Sequence, residues 1–345
     1  MEAVVLILAL LLQPPQAHGK TKVHHRTYHG GEVHEAETDG TTDGIVIWKN
    51  GTMQEMHNGQ LGKWFPVHPP KEGKPIQPPD EPQLPVPDTP EAVADAATAI
   101  IDDYVLISPK QVTAWGGIVS ATNKAHVAVD RMNEAFLHSG INAQTRIVGV
   151  VQDTVEETTS YDTDISELHN RFVAGAFTAV RAQNGFDIIS KLVTNGQYCG
   201  LGYMYSAGGQ WGQQIVQGNC AAAQMSLAHE IGHNMGLNHN IGESGASIAG
   251  CGATAVGYGE TRFRTVMSYP NPTIGGVVQH YGSRTPQYSA VPPAKWYSDS
   301  VSAVGTTQTN AAACLRLTTP IIAGFHAPVI ITLPPSTPKI VQATQ

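Results

Sequence analysis

From residue 99 onward the apolar positions fall into two rhythms. AIIDDYVLIS, from Ala99, reads as a strand, and QTRIVGVVQDTV, rich in β-branched residues, as another. Between them VTAWGGIVSATNKAHVAVDRMNEAFLHSG carries a helical repeat that stops at Ser139-Gly140, with Gly116 and Gly117 weakening its start. DISELHNRF and AFTAVRAQNG predict shorter helices; FDIISKLV and YCGLGYMYS predict further strands. NCAAAQMSLAHEIGHNMG predicts one helix that ends at Gly236. No internal repeat interrupts this succession of helices and strands, which predicts an α+β domain over residues 96 to 326.

The flanks differ in pattern. MEAVVLILALLLQPPQAHGK opens the chain with an apolar run from Ala3 to Leu12 followed by prolines and small residues, the order of a secretory signal peptide cut after Gly19. Its start carries Glu2 and no basic residue, which departs from the usual pattern. Residues 20 to 65 are polar, with His24, His25, His29 and His34 close together and short strand-like runs at GIVIWKNG and GKWFPV; they read mainly as a solvated segment. Ten of the 25 residues from Pro66 to Pro90 are proline, which excludes helix and central strand and predicts an extended linker. Residues 327 to 345 form a Pro/Thr-rich tail. The expected organisation is therefore a leader (1–19), a segment with a proline-rich linker (20–95), the α+β domain (96–326) and the tail.

Composition narrows the partners. With 20 Lys+Arg against 28 Asp+Glu, a net charge of −8 and no basic run, neither nucleic acid nor an anionic membrane surface is expected as the main partner. The leading apolar run is too short to span a bilayer, so no permanent membrane insertion is expected. All four cysteines, Cys199, Cys220, Cys251 and Cys314, lie in the second half, and an even count behind an export signal predicts two disulfides. Three pairings are open. Cys199 with Cys220 and Cys251 with Cys314 is preferred because each pair staples a segment beside the histidine cluster. A cysteine zinc site is excluded by spacing, since no C-x-x-C occurs.

That cluster is AHEIGHNMGLNH, residues 228 to 239. On a helix, His229 and His233 project from one face about a turn apart, while Leu227, Ile231 and Met235 face the core. Gly236 can take a positive φ, ending the helix and turning His239 round as a third ligand. Three protein ligands leave the fourth position of a tetrahedral zinc open to water, which hydrolysis requires and a structural site usually lacks. Glu230 can reach that water without being a ligand and act as general base, then return the proton to the departing amine.

His229, Glu230, His233, Gly236 and His239 match the HExxHxxGxxH signature, so the chain resembles the metzincin metalloproteases, and RTVMSYP, with Met267 placed 28 residues after His239, resembles their Met-turn. Within that clan, NEAFLHSGI, CGLGYM, SLAHEIGHNMG and FRTVMSYP resemble the reprolysin-like proteases and, more closely, the bacterial peptidyl-Asp metalloendopeptidases. The resemblance implies a zincin-like catalytic domain with a twisted mixed sheet, an active-site helix and one catalytic zinc, preceded by a pro-segment. It implies that Met267 forms an apolar floor and that the edge strand around Gly200, Leu201 and Gly202 receives substrate as an added strand. Tyr269 resembles the tyrosine that in astacins and serralysins binds zinc or the developing oxyanion. Asn240 stands where reprolysins usually have Asp, which weakens the expected support of the last ligand. No cysteine precedes Cys199, so latency through a cysteine on zinc is unavailable and would rest on steric blocking or another group.

The peptidyl-Asp likeness further implies cleavage before acidic residues, which calls for a cation just past the scissile bond. Arg262, Arg264 and Arg284 bracket the Met-turn and are the candidates. The resulting expectation is a secreted zinc endopeptidase acting on protein or peptide substrates. Two rivals remain: a zinc-bound binding or adhesion protein on the same scaffold, which should lack a base, and a peptidase or amidase for small substrates, which should have a closed pit.

Overall fold

The computed structural model describes residues 21–48, 52–65, 72–78, 97–205, 209–242 and 251–326. The expected leader and tail, and all of the proline-rich linker except residues 72–78, lie outside the described residues. The described residues from 21 to 65 are more ordered than the solvated segment expected, and the strand-like runs at GIVIWKNG and GKWFPV fall on two of five strands. These residues fold into an antiparallel meander of five strands, β1 (Lys22–Tyr28), β2 (Gly31–Thr38), β3 (Thr41–Ile47), β4 (Met53–His57) and β5 (Gln60–Trp64). The turns at His29-Gly30, Asp39-Gly40 and Asn58-Gly59 each place two consecutive residues at positive φ, the geometry of tight hairpins. One face buries Val33, Val46 and Met56.

The second sheet belongs to the part of the chain that carries the histidine cluster. Its strands are β6 (Ala99–Ile107), β7 (Ala143–Gln152), β8 (Ile188–Val193), β9 (Gly200–Gly202) and β10 (Gln213–Gln217), in the order β7-β6-β8-β10-β9. All pairs are parallel except β10 with β9, so the sheet is mixed, and β9 is an edge strand.

The long helix expected after β6 is two helices. Ser108 caps α1 (Pro109–Ala114), its hydroxyl accepting from the Gln111 amide at 3.1 Å. Gly116 and Gly117, at φ 81° and 122°, then break the chain before α2 (Ile118–His138). Next come α3 (Tyr161–Val173) and α4 (Thr178–Asn184), followed by the four-residue α5 (Gly218–Ala221), α6 (Ser226–Asn234) and, late in the chain, α7 (Ala311–Ile322). The expected single helix over NCAAAQMSLAHEIGHNMG is likewise divided, because Met225 adopts φ 54° between α5 and α6.

Alternation along β6 builds two cores. Ile101, Val105 and Ile107 pack with α2 and α6, whereas Tyr104 and Leu106 pack with Leu168, Phe177 and Phe186 beneath α3 and α4. The first core continues through Met235, Met267 and Leu315, tying the sheet to the part of the chain after His239. Among its described residues that part is mostly irregular, apart from two-residue strands and α7. Disulfides join Cys199 to Cys220 and Cys251 to Cys314, the preferred pairing, with Cα atoms 5.5 and 5.4 Å apart.

The N-terminal meander sits on α2. Asp43 accepts from Ser120 Oγ at 2.8 Å and Asn123 Nδ2 at 3.0 Å, and Lys124 pairs with Glu55. His34, buried, lies 3.0 Å from Asp130 through Nδ1, and His25 reaches the same carboxylate. A small apolar cluster of Ala36, Ile45 and Val127 completes the seam.

Candidate metal centre

Helix α6 is only nine residues long, and every one of them is buried. Leu227, Ile231 and Met235 fix it in the main core, and Tyr288 Oη donates to the Ala228 carbonyl at 2.9 Å. Gly232 lies against Met267 so closely that a Cβ there would meet the methionine sulfur at 2.6 Å. Gly236, at φ 90°, then turns the chain, and Asn238 Oδ1 accepts from the His239 amide at 2.8 Å.

This path brings three imidazoles together. His239 Nε2 lies 3.0 Å from Nε2 of His229 and 3.0 Å from Nε2 of His233. His229 Nδ1 is 2.9 Å from the Val266 carbonyl and His233 Nδ1 2.7 Å from the Leu237 carbonyl. Only a protonated Nδ1 satisfies a carbonyl, so both rings carry their hydrogen there and present bare Nε2 lone pairs inward. His239 can donate to one of them at a time, leaving a surplus of acceptors that a cation would resolve. Burial pushes His229 and His239 well below the usual histidine range and His233 down to about 4, which keeps the rings neutral, the form a metal takes. The 3.0 Å separations approach the ~3.3 Å that tetrahedral Zn–N bonds of about 2.0–2.1 Å require, so the residues fit zinc.

Glu230 is fully buried, and neither carboxylate oxygen has a hydrogen-bond partner among the described residues. Burial, then the nearby Glu72 charge, raise its pKa well above the usual value, while Arg284 opposes them. Gly200 and Gly202 of β9 line its side chain: a Cβ at 200 would fall 2.5 Å from Glu230 Cγ, and one at 202 would fall 3.1 Å from Oε2. The free edge of β9 is paired. Gly73 N donates to Gly200 O at 2.7 Å, Ile76 N to Gly202 O at 2.9 Å, and Met204 N to Ile76 O at 2.8 Å, so residues 72–78 run parallel to it.

Met267 is buried in the core behind α6. The Tyr269 ring stacks at a tilt on His239, centroids 4.1 Å apart, and its hydroxyl donates to the Glu72 carbonyl at 3.2 Å. Asn240 braces this region: its Oδ1 accepts from the Tyr269 amide and its Nδ2 donates to Ser268 Oγ, both at 2.8 Å. An amide therefore supplies support that the sequence reading had expected only from a carboxylate.

The three arginines separate. Arg262 points outward, half exposed, in ion pairs with Glu260 and Asp299. Arg264 and Arg284 stand opposite each other where Phe263–Arg264 pairs with Ser283–Arg284. Burial and the Arg284 charge lower Arg264 to about 9, and it donates to Gly282 O at 2.7 Å. Arg284 Nη1 pairs with Glu72 Oε1 at 2.8 Å, with both side chains under 5% exposed. Ser226 Oγ donates to the same Glu72 oxygen at 2.7 Å. Glu72 and Ser226 escaped the sequence reading; the only trace was an acidic residue between two lysines in a proline-rich run.

The sequence model of metallo-peptidase family M12B, reprolysin-like, matches residues 98–285, more than half of the chain. The chain belongs to this family. Two curated proteins named peptidyl-Asp metalloendopeptidase are similar to this chain. One, from Stenotrophomonas maltophilia, is 24% identical over 204 residues, covering 56% of this chain and 47% of its own. The other, from Pseudomonas aeruginosa, is 30% identical over 206 residues, covering 52% of this chain and 33% of its own. The chain thus spans about half or less of the length of these relatives. A solved structure titled as a chaperone-substrate complex shares the fold, with a TM-score of 0.54 at 16% identity over 83% of this chain and 46% of that one.

Proposed function

We propose that this M12B peptidase is a secreted zinc endopeptidase, made with a leader (1–19) and a pro-segment (20–95), in which residues 96–326 form the catalytic domain. The observation that carries the reading is the convergence of three oriented, neutral imidazoles beside a buried carboxylate without a partner. His229, His233 and His239 would hold the ion. When bound, zinc supplies Lewis acidity toward the scissile carbonyl and the attacking water. Glu230 takes the proton from that water; its raised pKa suits a group that must both accept a proton and return it to the leaving amine. Tyr269, beside His239, would donate a hydrogen bond as the oxyanion develops once residue 72 has left, and Met267 would support the floor. The edge of β9 at Gly200–Gly202 would pair with an extended substrate, as residues 72–78 already do.

A preference for acidic residues after the scissile bond is supported by the names of the relatives and by the buried Arg284 close to the site. Secretion is supported by the apolar opening of the sequence and the two disulfides. The silent binding-protein alternative is disfavoured by the presence and burial of Glu230. The test is bound zinc and hydrolysis of a denatured protein, compared for the parent and Glu230→Gln, each as residues 96–326. Equal zinc with activity only in the parent is expected; equal activity in both removes Glu230 as the base.

A further inference from the structure

Arg284 is nearly inaccessible, and among the described residues Glu72 is the one carboxylate in ion-pair contact with it, although the arginine's charge also reaches Glu230: Nη1 also donates to Gln224 O at 2.5 Å, and Nη2 lies 3.5 Å from Ser268 O. Arg264 stands opposite in the ladder with a carbonyl partner, so two guanidinium groups share one carboxylate here. A buried cation stripped of its anion is strongly disfavoured, so this pocket requires an acidic occupant. Glu72 belongs to a segment paired along the edge of β9, beside Glu230. Its neighbours add a strand to β9, its carbonyl accepts from Tyr269 Oη, and Ile76 packs among Leu201, Tyr203 and Ile215. Gly73 allows the close approach, since a Cβ there would fall 2.9 Å from Leu201 Cδ1 and 3.0 Å from Gly200 O.

We propose that Arg284 and Ser226 form the receptor for the acidic side chain of a substrate, and that Glu72 fills this receptor as a resident pseudosubstrate that keeps the full-length chain latent. The proposal rests on the endopeptidase reading and adds to it the residue that selects and the residue that blocks. Release of residues 72–78 leaves Arg284 without its ion-pair partner, and an incoming aspartate or glutamate restores one. Glu72 is a latch acting through occupancy, with no covalent step.

The test uses the full-length chain and has a readout independent of turnover. Hydrogen exchange at the Gly73 and Ile76 amides is measured in the parent, in Glu72→Gln and in Gln77→Ala, an exposed position on the same segment. Exchange at both amides should rise roughly 100-fold in Glu72→Gln and stay at the parent value in Gln77→Ala; unchanged exchange in Glu72→Gln overturns the latch. With zinc supplied, Glu72→Gln should cleave a peptide with Asp after the scissile bond at least about tenfold faster than the parent does, and faster than the same peptide with Asn. Equal rates on the two peptides overturn the receptor. The synthetic peptide EGKPIQP should restore inhibition of Glu72→Gln, and QGKPIQP should be roughly tenfold weaker; equal potency also counts against the receptor. Raised exchange with no cleavage of any peptide upholds the latch and instead removes the endopeptidase reading.

Discussion

Glu230 and Gly200 are in direct contact: the carboxylate arm of α6 lies against the bare backbone of β9, where any side chain would overlap it. Gly200→Ala should therefore displace Glu230 while leaving the three histidines in place. A shift near 1 Å costs about 100-fold in rate. Hydrolysis by the matured enzyme should fall by about that factor with zinc content unchanged; retained activity would show that Glu230 does not need this wall.

The histidine cluster predicts a separation of ligand from base. Zinc should raise the thermal midpoint of the metal-free chain, by an amount equivalent to about 4 kcal/mol at 1,000-fold above Kd. His239→Ala should abolish the shift and Glu230→Gln should preserve it. Calorimetry with and without chelator checks both, and an unshifted parent would exclude a tight metal site.

Gly232 and Met267 form the second close contact behind the site. With the sulfur 2.6 Å from a Cβ at 232, Gly232→Ala should destabilise the domain by about 1–3 kcal/mol. Urea unfolding of Gly232→Ala and of Gly232→Ala/Met267→Ala measures it, and partial recovery in the double variant is expected.

The disulfides should contribute unequally. Cys251–Cys314 closes a loop of 63 residues and Cys199–Cys220 one of 21, for which loop closure gives about 4 and about 3 kcal/mol. Paired serine substitutions followed by urea unfolding should rank them in that order.

The seam between the meander and α2 should respond to pH. Burial depresses the His34 pKa, but hydrogen bonds to Asp130 and Glu32, helped by the charge of Glu134 and opposed by Arg131, lift it above its usual 6.5. Asp130 is held below its usual 3.8 because His34 and His25 outweigh its burial. Stability from a raised histidine is complete below 6.5 and is lost as pH rises through the folded value. Stability from a depressed aspartate is present above 3.8 and is lost as pH falls through its own folded value. Attachment should thus be firmest between those limits and loosen above 6.5. Exchange of β2 amides, corrected for intrinsic rates, checks this, and His34→Gln should flatten the profile on the alkaline side.

The parts of the molecule legible in sequence were those specified locally. His229, Glu230, His233, Gly236 and His239 lie within eleven residues, so helix geometry and one glycine turn place them. Strands β6, β7 and β8 announced themselves by clustered apolar and β-branched residues, interrupted by few polar ones. β10 did not: its Gln213 and Gln214 are buried by distant partners, Gln214 reaching Ser190 Oγ at 2.5 Å and Gln213 reaching His169 at 3.0 Å. The start of α6 was hidden because the alanines before it favour helix, whereas Met225 is held at φ 54° by tertiary packing. Glu72 meets Arg284 across 212 positions of sequence, and no periodicity reports a contact of that kind. The meander was masked by polar strands whose partners, such as Asp130 and Asn123, sit on α2.

The chemistry of that seam bears on how the molecule could come apart. Apart from the patch around Ala36, Ile45 and Val127, what Asp43, His34 and Glu55 leave behind on α2 is hydroxyl, amide, carboxylate and ammonium. Water can solvate each of these groups. A body shed from such a footing bares little oily surface, so the remaining domain would stay in solution without repacking, and the departing sheet could serve as a detachable mould.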